Sequence, residues 1–379
     1  MRISTQLRSL FVVLASLGLL VAPARAQEIL IGHVAGYTGP VTKDATELGA
    51  GAEVLIQAVN ARGGIIGKKL RLVKVDDHFK PEETSQLILS MSGKVSALLP
   101  TVGSANLDRA LKDGVFDKIN LPLVGTVPAQ ESFRFPLNRN IFHFRAGDND
   151  QLEKMISLLT SVGMVKIGVL ATNNPNGEGV ITYMGSSLGK RNLQLAAVQK
   201  YTISGKIDFA PNVKAFETAL PDAIVLVGPP FATAQFVKEA KSRGLQASLY
   251  GLSYTDFKLV VKLAGNALAR GVAISQVLPN PSTRTLSLIK EFRENFEKYN
   301  TAVVGVPSHF NLEGYISAKL IVEAIRRTKD SSPDGVRRGL EQMRDFDLGG
   351  YHVDFSPTKH TGSTWVDLSM ISASGGLVY

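Results

Sequence analysis

Val59-Asn60-Ala61-Arg62-Gly63-Gly64-Ile65-Ile66-Gly67-Lys68-Lys69-Leu70 is the stretch that decides the fold. Upstream of it, Leu48, Ala52, Leu55, Ile56 and Val59 recur at helical spacing. Gly63-Gly64 stops that helix, because glycine takes up the backbone angles a helix end requires. Downstream, Lys69 to Asp76 alternates apolar and polar side chains as a strand does. Before the helix, Ile29 to Ala35 is a short apolar run that ends in Gly36-Tyr37-Thr38-Gly39-Pro40, a strand followed by a loop. Strand, helix and strand in that order build a parallel sheet.

The same alternation runs outward from there. Pro81 opens a helix where its missing N–H costs nothing. Ala97 to Pro100 reads as a buried strand, 105–119 as a helix and Pro122 to Gly125 as a strand. After Arg145 the pattern restarts: helix 148–163, strand 166–171, helix 177–192, strands 195–200 and 223–227, helix 231–243, strand 248–251, helix 256–265. Three consecutive helices follow, at 285–299, 308–327 and 333–344, and then strands 351–355 and 365–372. Two such series predict two doubly wound α/β lobes, completed by chain that crosses between them more than once. Ligands of open α/β sheets bind outside the carboxyl ends of the strands, so two facing lobes would share one cleft and close by hinge bending.

Length and composition agree. A chain of 379 residues, 44% hydrophobic, has room for two lobes and a real core. With no cysteine, disulfide scaffolds, thiol catalysis and zinc ribbons are excluded. Arg2 and Arg8 precede an apolar run from Leu10 to Ala22, too short to span a bilayer, and Ala24-Arg25-Ala26 offers small residues to an export peptidase. Residues 1–26 therefore read as a signal peptide cleaved after Ala26, and the protein as a soluble periplasmic one. Removing that segment leaves 39 basic against 33 acidic residues of the original 42 and 33. No basic stripe with interleaved aromatics accompanies that excess, so nucleic acid is not expected as a partner.

Several loops bear on chemistry. Gly103-Ser104-Ala105 follows a strand and opens a helix; the free amides and the hydroxyl there suit a carboxylate, though Ser104 as a simple N-cap fits equally. Gly125-Thr126-Val127-Pro128 follows another strand end and reads as cleft loop or plain turn. Asn173 to Gly179 is a polar βα loop. Gly185-Ser186-Ser187-Leu188-Gly189 matches G-x-S-x-G, but Ser187 falls within a helical stretch instead of on a strand-to-helix turn, so a secreted serine hydrolase is the remote alternative. The six histidines show no metal-ligand spacing, and Asp76-Asp77-His78 reads as a strand-end turn. Nothing calls for a metal or a cofactor.

The chain resembles the periplasmic solute-binding proteins of ABC importers, in the leucine/isoleucine/valine-binding branch. The likeness is carried by Ile31-Gly32-His33 through Thr38-Gly39-Pro40-Val41, by Gly51-Ala52-Glu53, by Val59 to Leu70, and by Val75-Asp76-Asp77 with Pro81. Gly103-Ser104, Gly177-Glu178-Gly179 and Lys241 to Leu245 extend it. The resemblance implies a type I clamshell: two lobes joined by a three-crossover hinge near 143–147, 271–277 and 347–352. The lobes would comprise 27–146 plus 276–349, and 147–275 plus 350–379. It further implies that Ser104, flanked by Gly103 and Ala105, holds a ligand carboxylate, with Thr126 and Pro128 contributing from the neighbouring loop. Asn176 and Pro229 stand where amino-acid binders carry aromatic residues. Ser253, followed by Tyr254, stands where they place the Glu that pairs with the ligand's α-ammonium group.

Losing that Glu has a physical consequence, since a buried ammonium without a carboxylate partner costs several kcal/mol. Either the ligand lacks the amine or another acid serves, Asp44 first and Asp256 second; helix-capping is the plainer role for Asp256. The family's first-lobe disulfide is absent, with Phe79 and Gly103 at its two positions. The function implied is capture of a small carboxylate-bearing solute, an amino acid or an amine-free organic acid, by a monomer that delivers it to an inner-membrane ABC permease. A periplasmic receptor feeding a signalling system is the alternative.

Overall fold

The structure is a computed structural model that describes residues 28–203, 207–302 and 305–379. The expected signal peptide and its cleavage point lie outside the described residues.

The first sheet is laid down by β1 (Ile29–Ala35), α1 (Thr42–Ala61), β2 (Leu70–Asp76), α2 (Pro81–Ser90), β3 (Ala97–Leu98), α3 (Ser104–Lys112), α4 (Val115–Lys118), β4 (Leu123–Val124) and β5 (Ile141–Phe142). Its five strands lie parallel in the order β2-β1-β3-β4-β5. The helix expected over 105–119 is broken in two at Gly114, whose φ of 62° is left-handed and ends α3 before α4 begins.

The second sheet is built from α5 (Asp148–Ser161), β6 (Ile167–Thr172), α6 (Pro175–Gly189), β7 (Leu195–Tyr201), α7 (Ala210–Ala219), β8 (Ala223–Val227), α8 (Pro230–Ser242), β9 (Ser248–Gly251), α9 (Phe257–Ala269) and β10 (Ala273–Gln276). Its central strands β6 and β8 are buried at every position, as strands covered on both faces must be. At the edge, β7 alternates half-buried and exposed residues. Helix α7 was not expected from the sequence. Pro211 sits in its first turn, and Val213 and Phe216 bury one face against the second core.

The chain then returns to the first lobe. Helices α10 (Ser287–Tyr299), α11 (His309–Thr328) and α12 (Pro333–Glu341) pack in one core with Ile31, Ala97 and Phe142. In α11 nearly every residue from Asn311 to Ile325 is buried. It lies so close to α1 that a Cβ on Gly51 would overlap the carbonyl oxygen of Asn311, and one on Gly314 that of Leu48. Strands β11 (Phe346–Asp347) and β12 (His352–Val353) form a hairpin. Finally β13 (Asp367–Ile371) and β14 (Leu377–Val378) add antiparallel to β10, completing the order β14-β13-β10-β9-β8-β6-β7.

The chain thus passes between the lobes three times. The third passage falls later than the sequence reading put it. Tyr351, Val353 and Phe355 alternate so that all three side chains enter the first core, which keeps residues 351–355 with that lobe. The passage after them runs beside the first one: the His143 N–H donates to His360 O at 2.8 Å, and the Gly362 N–H to His143 O at 2.7 Å. The Tyr351 hydroxyl bonds Phe144 O at 2.8 Å and Val277 O at 3.3 Å, tying the first passage to the second.

Candidate functional site

At the carboxyl end of β3 the backbone turns through Gly103, whose φ of 98° admits few other residues. Phe79 packs its ring where a Cβ on Gly103 would sit, so the two positions of the missing disulfide are filled by an aromatic ring against a bare backbone. Gly103 is the N-cap and Ser104 the first helical residue of α3, so Ser104 is not a cap. Its exposed hydroxyl makes no hydrogen bond within the described protein, and Ala105 beside it is exposed as well. The loop beneath is braced by Asn106, which donates to Thr84 Oγ1 at 2.6 Å and toward Asp77.

A cavity of about 420 Å³ opens in front of this helix end, between the lobes. Ser104 and Ala105 line it from the first lobe, with Glu131 and Phe133. Asn176, Val180 and Asp148 line it from the second. Asn176 stands in the first turn of α6, which Asn174 caps by accepting from the Gly177 N–H at 2.9 Å. Asp148 opens α5 and is 2% exposed, and burial pushes its carboxyl up to about 7. Tyr254 is half-buried near it. Burial raises the phenol well above its ordinary value, and the Asp148 charge raises it further.

A second group of polar side chains lies at the hinge. Arg145, on the first passage, donates to Glu313 Oε2 at 2.8 Å, and the two side chains are 5% and 2% exposed. The other end of the guanidinium donates to Ser253 Oγ at 3.1 Å. The Ser253 N–H in turn donates to Gln151 Oε1, which also accepts from Ser275. Asp44, in the first turn of α1, is raised to about 6, chiefly by burial, with Glu47, Asp256 and Glu313 adding to the effect. His309 is held down to about 4 by burial and by the Arg145 charge. Burial likewise raises the Glu313 carboxyl, against the pull of Arg145.

Other expected residues face elsewhere. Thr126 is fully buried, and its hydroxyl is committed to Pro128 O at 3.0 Å and His143 Nδ1 at 2.8 Å. Pro128 is buried too, and its carbonyl is used by Thr126. The loop is therefore a plain turn bound to the first passage, and these two side chains do not line the cavity. Pro229 is exposed at the N-cap of α8, away from the cavity wall. Asp256 caps α9, accepting from the Lys258 and Leu259 N–H groups. Ser187 lies within α6, 2% exposed, and donates to Glu153 Oε2 at 2.6 Å while accepting from Arg191. A carboxylate and a guanidinium, in place of an imidazole, surround that serine. Asp76 accepts from the Thr38 hydroxyl and the His78 N–H, the strand-end turn expected for it. Among the described residues no cluster of His, Cys, Asp or Glu could hold a metal ion, and no helix is long and apolar enough to cross a membrane.

Sequence reasoning missed Arg145, Glu313 and Asp148. Charged residues buried away from any motif leave no local signal, and Arg145 and Glu313 are 168 positions apart.

The chain matches the family model described as periplasmic binding protein over residues 28–376. It is 31% identical to a substrate-binding periplasmic protein from Ralstonia solanacearum, covering 92% of this chain and 99% of that one, with a TM-score of 0.80. An extracellular ligand-binding receptor from Verminephrobacter eiseniae is 28% identical over 93% of this chain and 100% of its own, with a TM-score of 0.81. Leu/Ile/Val-binding protein homolog 7 of Brucella abortus is 21% identical over 377 residues, 93% of this chain and 92% of that one.

Proposed function

The chain belongs to the periplasmic binding protein family, whose members bind solutes and are not enzymes, and from that premise we propose that it captures a small carboxylate-bearing solute between its lobes and delivers it to an ABC importer. The free amides of the first turn of α3 and the unpartnered Ser104 hydroxyl receive the carboxylate, since helix N-termini offer unsatisfied donors and a favourable dipole to an anion. Asn176, across the cavity, closes on the solute from the second lobe. Binding is followed by hinge closure about the three passages, and no bond is made or broken.

The observation that bears on the ligand class is the contact of Arg145 with Ser253 at the hinge, outside the lining of the cavity. At the position where amino-acid binders of this family place a carboxylate, a hydroxyl stands here, and it is already held by a guanidinium. An α-ammonium group there would meet positive charge. Glu313 neutralises that guanidinium from the opposite side but turns its carboxylate toward Arg145. The solute is therefore read as an amine-free organic acid, aromatic or short aliphatic.

Thermal unfolding of the ligand-stripped protein tests this reading. The panel pairs leucine and phenylalanine with 4-methylpentanoate and 3-phenylpropanoate, the same skeletons without the amine. A ligand at roughly 1,000 times its Kd adds about 4 kcal/mol, a shift of several degrees. The amine-free acids are expected to raise the midpoint. A shift from the amino acids instead would assign Asp44 the ammonium and overturn the reading.

A further inference from the structure

We propose that Glu131 is a ligand-contacting, specificity-determining residue: its Oε2, at the first-lobe wall of the interlobe cavity, accepts a hydrogen bond from a hydroxyl group of the bound acid. The solute class is thereby narrowed to organic acids that carry a hydroxyl away from the carboxylate. The inference rests on the reading of the cleft as a carboxylate site and deepens it.

Glu131 lines the same cavity as Ser104 and Asn176 and is half-buried there. One end of its carboxylate is committed: Oε1 accepts the Asn149 N–H, in the first turn of α5, at 3.2 Å. That bond crosses from one lobe to the other and fixes the side chain. Oε2 receives no hydrogen bond from the described residues, and it is not among the polar atoms sealed in the interior. It is thus both accessible and unpartnered at the cavity wall. The wall around it is polar as well. The side-chain amides of Gln130, Asn149 and Asn176 line the cavity without an internal hydrogen bond among the described residues.

The charge on this carboxylate already has its counterpart. Arg134 is buried and spends its guanidinium on the carbonyls of Ala129, Arg145 and Ala146, and Glu131 is the acid that acts on it most. The two meet over Gly147, where a Cβ would stand 2.5 Å from Glu131 Oε1 and 3.1 Å from Arg134 Nε. A neutral donor on the solute therefore suits Oε2 better than a second cation, which would face the guanidinium. While the cleft is open, water serves Oε2. When the lobes close on a solute that water leaves, and a carboxylate oxygen without a donor is costly. A hydroxyl on the solute restores the bond, whereas a hydrocarbon or an ether oxygen does not. A site built to receive a hydroxyl rejects the analogue that lacks it, because its own polar group is then stranded.

Calorimetric titration of the purified protein with two matched series tests this. One series is 3-phenylpropanoate, 3-(4-hydroxyphenyl)propanoate and 3-(4-methoxyphenyl)propanoate. The other is pentanoate, 5-hydroxypentanoate and 5-aminopentanoate. In at least one series the hydroxy acid is expected to bind tighter than its parent by about tenfold or more, the gain of a hydrogen bond to a charged group. The methoxy acid fills the same space without an O–H, and 5-aminopentanoate brings a cation, so neither should gain over its parent. Glu131→Leu should abolish the preference by weakening the hydroxy acid and sparing the parent. A Glu131 that only held Asn149 would, on replacement, weaken both acids equally and leave their ratio in place. The inference is overturned if neither series shows a hydroxyl preference, if the methoxy or amino compound matches the hydroxy acid, or if the preference survives in Glu131→Leu. The wild-type ratios decide even where the variant does not fold. Failure of every acid to bind overturns the carboxylate reading itself, which is a different result.

Discussion

Arg145 shows how much a single residue can carry at a hinge. It joins Glu313, in the first-lobe core helix α11, to Ser253, at the end of a second-lobe strand, through one guanidinium. Removing one partner of a buried pair strands the other charge, which costs about 3–5 kcal/mol. Arg145→Met is expected to lower stability by that order in urea unfolding. Adding Glu313→Leu should recover much of it, and a double-mutant cycle reads the coupling. The two hydroxyls expected to meet the solute part company at this scale. Ser104→Ala should weaken binding of the amine-free acids about tenfold, the loss expected for a hydrogen bond to a charged group. Thr126→Val should leave that affinity in place and cost roughly 1 kcal/mol of stability, because its hydroxyl serves His143. Calorimetry with denaturant unfolding separates the two outcomes.

Among the elements, the pairing of α1 with α11 sets the spacing of the first lobe. Two glycines let the backbones meet, Gly51 against Asn311 and Gly314 against Leu48. Gly51→Ala forces the helices apart and should cost at least about 2 kcal/mol, the usual order for overpacking. Its thermal midpoint should fall well below that of Gly185→Ala, a helical glycine with open space around it. The order of elements was legible because each strand and most helices carry their own periodicity, as Leu48 to Val59 and β2 do. Helix α7 was missed: its short run has two buried apolar anchors, Val213 and Phe216, and a proline in its first turn. The third passage was misplaced because an alternating trio such as Tyr351, Val353 and Phe355 shows which residues are buried but not in which lobe. Of the residues that line the cavity, Ser104, Ala105 and Asn176 stand at strand-to-helix junctions that the sequence displays. The direction of the Thr126 hydroxyl depends on His143, which a local pattern does not register.

For the whole molecule, buried titratable groups oppose one another with pH. Burial holds His33 down to about 3 and His309 to about 4, and His143 well below its ordinary value. These imidazoles are neutral when folded and gain protons on unfolding, so their contribution is lost as pH falls below about 6.5. Asp148 and Asp44, raised to about 7 and 6, act the other way: they favour the folded state most below about pH 4 and lose that contribution as pH rises to 7. The stability of Asp148→Asn relative to wild type should rise between pH 4 and 7, a difference that differential scanning calorimetry reads directly. The threefold passage of the chain has one more consequence, for the order in which the protein is made. The five strands of the first sheet are complete at Phe142, and α1 covers part of one face, yet α10 to α12, which complete that cover, begin at Ser287. A ribosome must therefore translate the whole second-lobe series before the first can close. For most of its synthesis the nascent chain carries a sheet with one half-covered apolar face, too incomplete to lock.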